Sequence, residues 1–248
     1  MELFLPILAA VLVAVLIAIV IVKYLPLKFR WIISILLLVL TIFLGYKIYD
    51  GIMKPINFNI NKKVKYAKVI KQLKIIRDAQ VAHYEVNGNY TANKEGLIQF
   101  IDSAKYAITE SRDTILKVNK GNRWNPLIID VEKKVIDTIG YEPILNNFKD
   151  RDYKNMFKVP GLEGKEFDLE IGTVEKVQGL LVPTFQAKTD KSSILKGEDP
   201  SLIKQEVEAV ESIEIKGEYV SVGSLTEVST GGNWPPFYDK NDSKKDNN

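Results

Sequence analysis

The chain has 248 residues, enough for a membrane segment and one soluble domain of ordinary size. Its 34 basic and 31 acidic residues leave a net charge of only +3, which argues against the concentrated basic face of a nucleic-acid-binding protein. There is no cysteine, so disulfides, thiolate metal sites and cysteine nucleophiles are excluded.

Leu3 to Val22 is an uninterrupted apolar run, about the ~20 residues needed to cross a bilayer core. A secretory signal is the competing reading. No basic residue precedes the run, it is too long, and no small-x-small cleavage site comes after it. A second apolar run spans Trp31 to Leu44 and extends to Ile48, with Trp31 and Tyr46 as interfacial aromatics at its ends. The expectation is a two-helix transmembrane hairpin over residues 1–50, with two spans in the inner or plasma membrane. No charged residue occurs between Leu3 and Val22 or between Trp31 and Tyr46, so anchoring rather than transport is expected. Lys23, Lys28 and Arg30 lie between the runs without an acidic neighbour. The excess of positive charge on cytoplasmic loops places this connector inside and the soluble domain outside the cytoplasm.

Gly51 and Pro55 suggest a break, so residues 51–61 are read as a linker. From Lys62 the apolar residues Tyr66, Val69, Ile70, Leu73, Ile76, Ala79 and then His83 or Tyr84 recur at helical spacing, and Lys63, Lys71, Lys74, Arg77 and Asp78 form the opposite face. Asn87-Gly88 ends this helix, because glycine tolerates the left-handed conformation common at helix C-termini. Thr91 or Asn93 can cap a second, short helix with apolar positions Leu97, Phe100 and Ile101.

Beyond Ser103 the pattern turns to short β-branched runs: Thr114–Val118, Leu127–Val131, Lys134–Thr138, Glu166–Ile171, Leu180–Lys188, Ser212–Ile215, Tyr219–Val222 and Leu225–Val228. Gly121-Asn122 supplies a turn between the first two. Asp199-Pro200 is a helix start, with Asp as N-cap and Pro at the first helical position, continuing to about Val210. The fold class is therefore α+β. A soluble domain at 62–238 has helices at 62–103 and mostly antiparallel strands at 104–238. The charged residues 239–248 form a disordered tail.

The order of long helix, Tyr84, Asn87-Gly88-Asn89-Tyr90 and Glu95-Gly96-Leu97 over residues 62–103 resembles the major pseudopilins of type II secretion and related type IV pilin-like proteins. The resemblance implies a long helix packed across a sheet, in a protein that assembles with others at the cell envelope. Two apolar runs precede the helix here, where that family has one processed helix. A scaffold is therefore expected rather than a filament subunit.

No phosphate loop, dinucleotide fingerprint, nucleophile elbow or zinc-binding helix motif occurs, so no catalytic residue, cofactor or metal is expected. The single histidine, His83, is read as structural. The carboxylate pairs Asp168/Glu170 and Glu206/Glu208/Glu211 are read as solvated charge, with an envelope enzyme using them as the alternative. Gly231–Tyr238 contains Trp234, Pro235, Pro236, Phe237 and Tyr238. Such a segment either docks onto its own domain or is offered to a partner groove. The expected function is that of a non-enzymatic, membrane-anchored structural or assembly protein. It would have protein partners in the envelope, as a component of a secretion or motility complex or through self-association.

Overall fold

The computed structural model describes residues 30–239 except 122, 123, 125, 126 and 210–213, together with Leu12, Val15, Leu16, Ala18, Ile19 and Lys23. The first predicted span, Leu3–Val22, apart from those scattered positions, and the predicted tail after Asp239 thus lie outside the described residues. The chain divides into two compact units, Met1–Asn57 and Phe58–Asn248.

Helix α1 runs from Arg30 to Asn87 without interruption. Residues 51–61, expected as a linker, are helical. Pro55 removes one backbone hydrogen bond, and a long helix on both sides tolerates that single loss. An ion pair between Lys54 and Asp50, one turn apart at 2.7 Å, braces the same stretch. The expected hairpin is therefore corrected. Among the described residues there is one helix long and apolar enough to cross a membrane, and it does not end near residue 50. Its apolar window is wholly unburied. Trp31, Leu36, Leu38, Ile42, Tyr46 and Ile48 each keep more than half of their surface exposed.

Within the second unit, α1 supplies the centre of the core. Tyr66, Val69, Ile70, Leu73, Ile76 and Ala79 are buried, as the spacing predicts, and so are Ile75, Gln80 and Ala82. Lys74, expected on the solvent face, is buried as well. The C-terminal segment lies over that side of the helix, and Lys74 Nζ donates to the carbonyl of Tyr238 at 2.9 Å.

The helix ends at Gly88, whose positive φ of 74° provides the turn. Gln80 then holds the exit loop by two bonds to one residue: its amide donates to the Thr91 carbonyl (2.6 Å) and accepts from the Thr91 N–H (3.1 Å). Asn93 caps α2 (Lys94–Ser103), accepting from Gly96 N–H at 3.0 Å. Leu97 and Ile101 of α2 are buried against the core.

Two antiparallel sheets complete the unit. β1 (Lys105–Asn119) and β2 (Ile128–Pro143) form a two-stranded ribbon, with a bulge at Ile108/Thr109. The runs Leu127–Val131 and Lys134–Thr138 are one strand, and β1 begins nine residues before Thr114, at Lys105. Both strands are polar enough that hydrophobic runs under-report them; the ladder between them, not burial, sets their length. The second sheet has the order β3-β4-β5, with β3 at Asp168–Val177, β4 at Leu180–Asp190 and β5 at Tyr219–Gly223. Phe185 and Ala187 of β4 and Val220 and Val222 of β5 face the core. Between β4 and β5 lie the short helices α3 (Lys191–Ile194) and α4 (Pro200–Val207). α4 is capped by Asp199 as predicted, its carboxylate accepting from Ser201 N–H at 2.9 Å. Leu225–Val228 is turn rather than strand, and Glu214–Ile215 carry no strand pairing.

Gly223 and Gly88 test two kinds of backbone constraint. Both have positive φ, but a Cβ at Gly223 would sit 2.2 Å from the Phe185 carbonyl oxygen, whereas one at Gly88 meets nothing within 4 Å. Gly88→Ala is expected to cost about 1 kcal/mol and Gly223→Ala well over ~2 kcal/mol, since β4 and β5 must separate. Denaturant unfolding of the detergent-solubilised chain measures the difference.

Candidate functional site

The residues singled out in the sequence fall in three places. His83 is structural in its contacts: Nδ1 lies 2.7 Å from the Asn89 carbonyl and the ring packs on Phe100 at 4.9 Å. Asp168 and Glu170 are exposed on β3, where Glu170 pairs with Lys188 of β4 at 2.7 Å. Glu208 is exposed beside Lys204, and Glu211 lies outside the described residues. Glu206 differs from the others, because it is buried.

Glu206 is the hub of a buried polar network that joins α1 to α3, α4 and the segment before β5. Lys62 Nζ donates to Glu206 Oε2 at 2.7 Å and to Glu214 Oε2 at 2.8 Å. The Tyr66 hydroxyl donates to Glu206 Oε1 at 3.2 Å. Lys191 Nζ lies 3.6 Å from the same oxygen and donates to the backbone carbonyls of Glu206 (2.8 Å) and Ile215. The side chains of Lys62 and Glu206 are each only 4% exposed, and that of Lys191 is fully buried. Burial would lower the pKa of Lys62, but the two carboxylates outweigh it and hold the ammonium above its usual range. Lys191 moves the other way, because burial dominates and the attraction of Glu206 offsets only part of it. Burial and the nearby carboxylates push Tyr66 and Tyr238 up, so both remain neutral.

Two cations balance two carboxylates, and the donors meet acceptors at bonding distance. A buried charge cluster of this kind holds its elements in one arrangement more than it adds stability. Lys191 has the lowered pKa of a reactive amine, yet it has no exposed surface from which to reach a substrate. The sequence signal that could have found the network is the Asp199-capped helix, because Glu206 falls on the inner face of α4 two turns after its start.

The aromatic C-terminal segment reaches the same place. Trp234 and Tyr238 are buried, Pro235 is buried, and Pro236 and Phe237 are exposed. Trp234 Nε1 donates to Asp239 Oδ1 at 3.1 Å, and Asp239 pairs with Lys74 at 3.0 Å. Gly232 lies beneath the indole, where a Cβ would overlap the ring. The strap therefore docks onto its own domain through Trp234 and Tyr238. Phe237 and Tyr238 line a cleft of about 360 Å³ with Asn59, Lys62, Lys63 and Glu214. In this cleft the predicted partner-binding segment meets the network around Glu206. The cleft presents an aromatic wall, two lysines and one carboxylate, features suited to recognition and without a nucleophile–base pair.

Truncating the hub leaves Lys62 with Glu214 as its carboxylate partner and the buried Lys191 with backbone carbonyls alone. Glu206→Leu is expected to cost about 3–5 kcal/mol, and Lys62→Met added to it to cost less than the sum of the two single changes. Denaturant titration of the four species forms the cycle. A second expectation concerns acid. Burial would raise Asp190, but bonds from Lys165, Ser193 and Ser192 prevail and hold its carboxyl well below the usual carboxylate range. A carboxyl depressed on folding contributes stability above its unfolded pKa of about 4, which is lost as pH falls below that value. Thermal midpoints should fall below about pH 4, and less steeply in Asp190→Asn. A scan against protein-family models and searches of curated proteins and of solved structures found no match to this chain.

Proposed function

We propose that this protein is a non-enzymatic, membrane-anchored structural or assembly protein of the cell envelope, whose folded unit binds protein partners. The observation that carries the reading is the exposure of helix α1 between Trp31 and Ile48. A core helix of a soluble protein with that hydropathy is mostly buried, whereas the apolar window here is unburied. Eighteen residues at ~1.5 Å per residue span about 27 Å, close to the hydrocarbon thickness of a bilayer. From Phe58 onward the same helix is the core of a folded unit, so anchor and domain are joined by one continuous helix.

The pilin-like part of the proposal rests on residues 62–103 and on the strands C-terminal to them. A long core helix, a turn at Gly88, a short capped helix and antiparallel strands form the order that the resemblance implies. In this reading the protein is a scaffold within a secretion or motility complex, with its folded unit outside the cytoplasm and Lys23, Lys28 and Arg30 inside. The chemistry of the cleft at Phe237 supports binding over catalysis, since its Lys62 and Glu214 are committed to each other.

The expected result of alkaline carbonate extraction is that the chain stays with the membrane and is released only by detergent. Release into the soluble fraction would overturn the anchoring. Protease added to intact cells whose outer barrier has been opened should digest the region after Phe58. Digestion only after lysis of the inner membrane would reverse the orientation. Mild-detergent purification followed by mass spectrometry reads the partners. A monomeric, partner-free chain would count against an assembly role.

A further inference from the structure

The β1–β2 ribbon is the largest part of the folded unit that the core does not use. Beyond Tyr106 at its base, no described apolar residue from Ala107 to Tyr141 belongs to the core or packs against it. The strands pair only with each other, so both outer edges are open. An isolated two-stranded ribbon is marginal in water, and a long open one invites a partner.

The register divides the ribbon into two unlike faces. Leu116 lies opposite Val131, Val118 opposite Ile129, and Arg112 opposite Val135. These directly paired residues share one side of the sheet. Leu116, Val118 and Val131 are each about 40% exposed because they shield one another, and the remainder of their surface meets no other part of the molecule. Ile115 and Ile136, on the reverse side, stand alone among polar neighbours at 63% and 66%. The ribbon is thus amphipathic, with an aliphatic stripe in its distal half. Its tip carries Trp124, 95% exposed, and Leu127, 60% exposed.

We infer that this face is an interface with the same face of a second copy of the chain, the two ribbons stacking in parallel with their tips together. Three features select a second copy. The first is area. Fifteen residues at ~3.4 Å each and two strands ~4.8 Å apart give a face of roughly 500 Å², so two faces bury roughly 1,000 Å², the lower limit for a specific interface. The second is charge. Nearer the base the same face carries Glu110, Arg112, Lys133 and Asp137, two of each sign, with Arg112 already 2.5 Å from Asp137. Parallel stacking sets aliphatic stripe on aliphatic stripe and brings together two faces whose charges each sum to zero, whereas antiparallel stacking would set the stripe on the charges. The third is the polar side. Asp113, Asp130 and Glu132 lie there among the lysines, unlike the basic rim of an element that lies on a lipid surface. The interface rests on the proposed assembly role and names its partner; co-anchoring in one membrane would raise the effective concentration of the two copies.

The chain has no cysteine, so one introduced thiol is a clean reporter. Val131→Cys and Glu132→Cys differ by one position and by face. Full-length protein in native membranes is treated with a bismaleimide of about 10 Å reach, the spacing of stacked sheets. Val131→Cys should give covalent dimer at least ten-fold more efficiently than Glu132→Cys, and adding Leu116→Asp to it should abolish the product. Absence of dimer from Val131→Cys, or equal yields from both positions, would overturn the interface. So would a Val131→Cys thiol that forms no dimer and is shielded from a water-soluble maleimide only when lipid is present, which would assign the face to the bilayer. Carbonate extraction of the same samples reads the anchor separately. Chain that stays in the membrane without cross-linking defeats the ribbon interface alone.

Discussion

The second unit depends on burying one helix on more than one side. A surface helix gives the core a single stripe and keeps its charges in water. Between Leu73 and Ala82, α1 has almost no exposed side: α2, the β3-β4-β5 sheet and the C-terminal strap all contribute to the core around it. Such a position forces its polar residues to find protein partners, since an unpaired buried amide or ammonium costs several kcal/mol. Lys62, Lys74 and Gln80 each meet that demand with a residue distant in sequence: Glu206, Tyr238 and Thr91. These bonds place α4, the strap and the α1–α2 loop on the helix, so the polar exceptions in the core act as its positioning devices.

The same constraint explains the two kinds of surface along α1. Where the helix is covered, its neighbours are fixed by buried charge pairs whose geometry tolerates little displacement. Where no described residue covers it, from Trp31 to Ile48, the side chains are apolar almost without exception, which water does not favour and a bilayer does. The helix continues through Gly51 and Pro55 without a coil segment between these two kinds of surface.

The ribbon and the cleft beside Phe237 are the two described surfaces best suited to partners, and they differ in kind. The cleft is small and charged, with walls set by the clamp on Glu206. The ribbon is long, uncovered and aliphatic on one face, and it is held to the domain only at its base.

The features legible in the residues alone are local ones. The apolar window of α1, its core face from Tyr66 to Ala79, the turn at Gly88, the caps at Asn93 and Asp199, and strands β3, β4 and β5 all arise from periodicity and backbone preference within a few residues. The aromatic strap was legible as a segment too apolar to be a free tail, and Trp234 and Tyr238 are indeed buried. Tertiary structure decided what depends on distant neighbours. Pro55 reads as a breaker until the helix around it is seen to be long, and Lys74 reads as solvent-facing until residue 238 covers it. Glu206 cannot be told from Glu208 by composition, because its burial is set by Lys62, 144 positions away. The full length of β1 and β2 was hidden for the complementary reason: a strand stabilised by its partner's backbone, rather than by a core, carries little hydrophobic signal of its own.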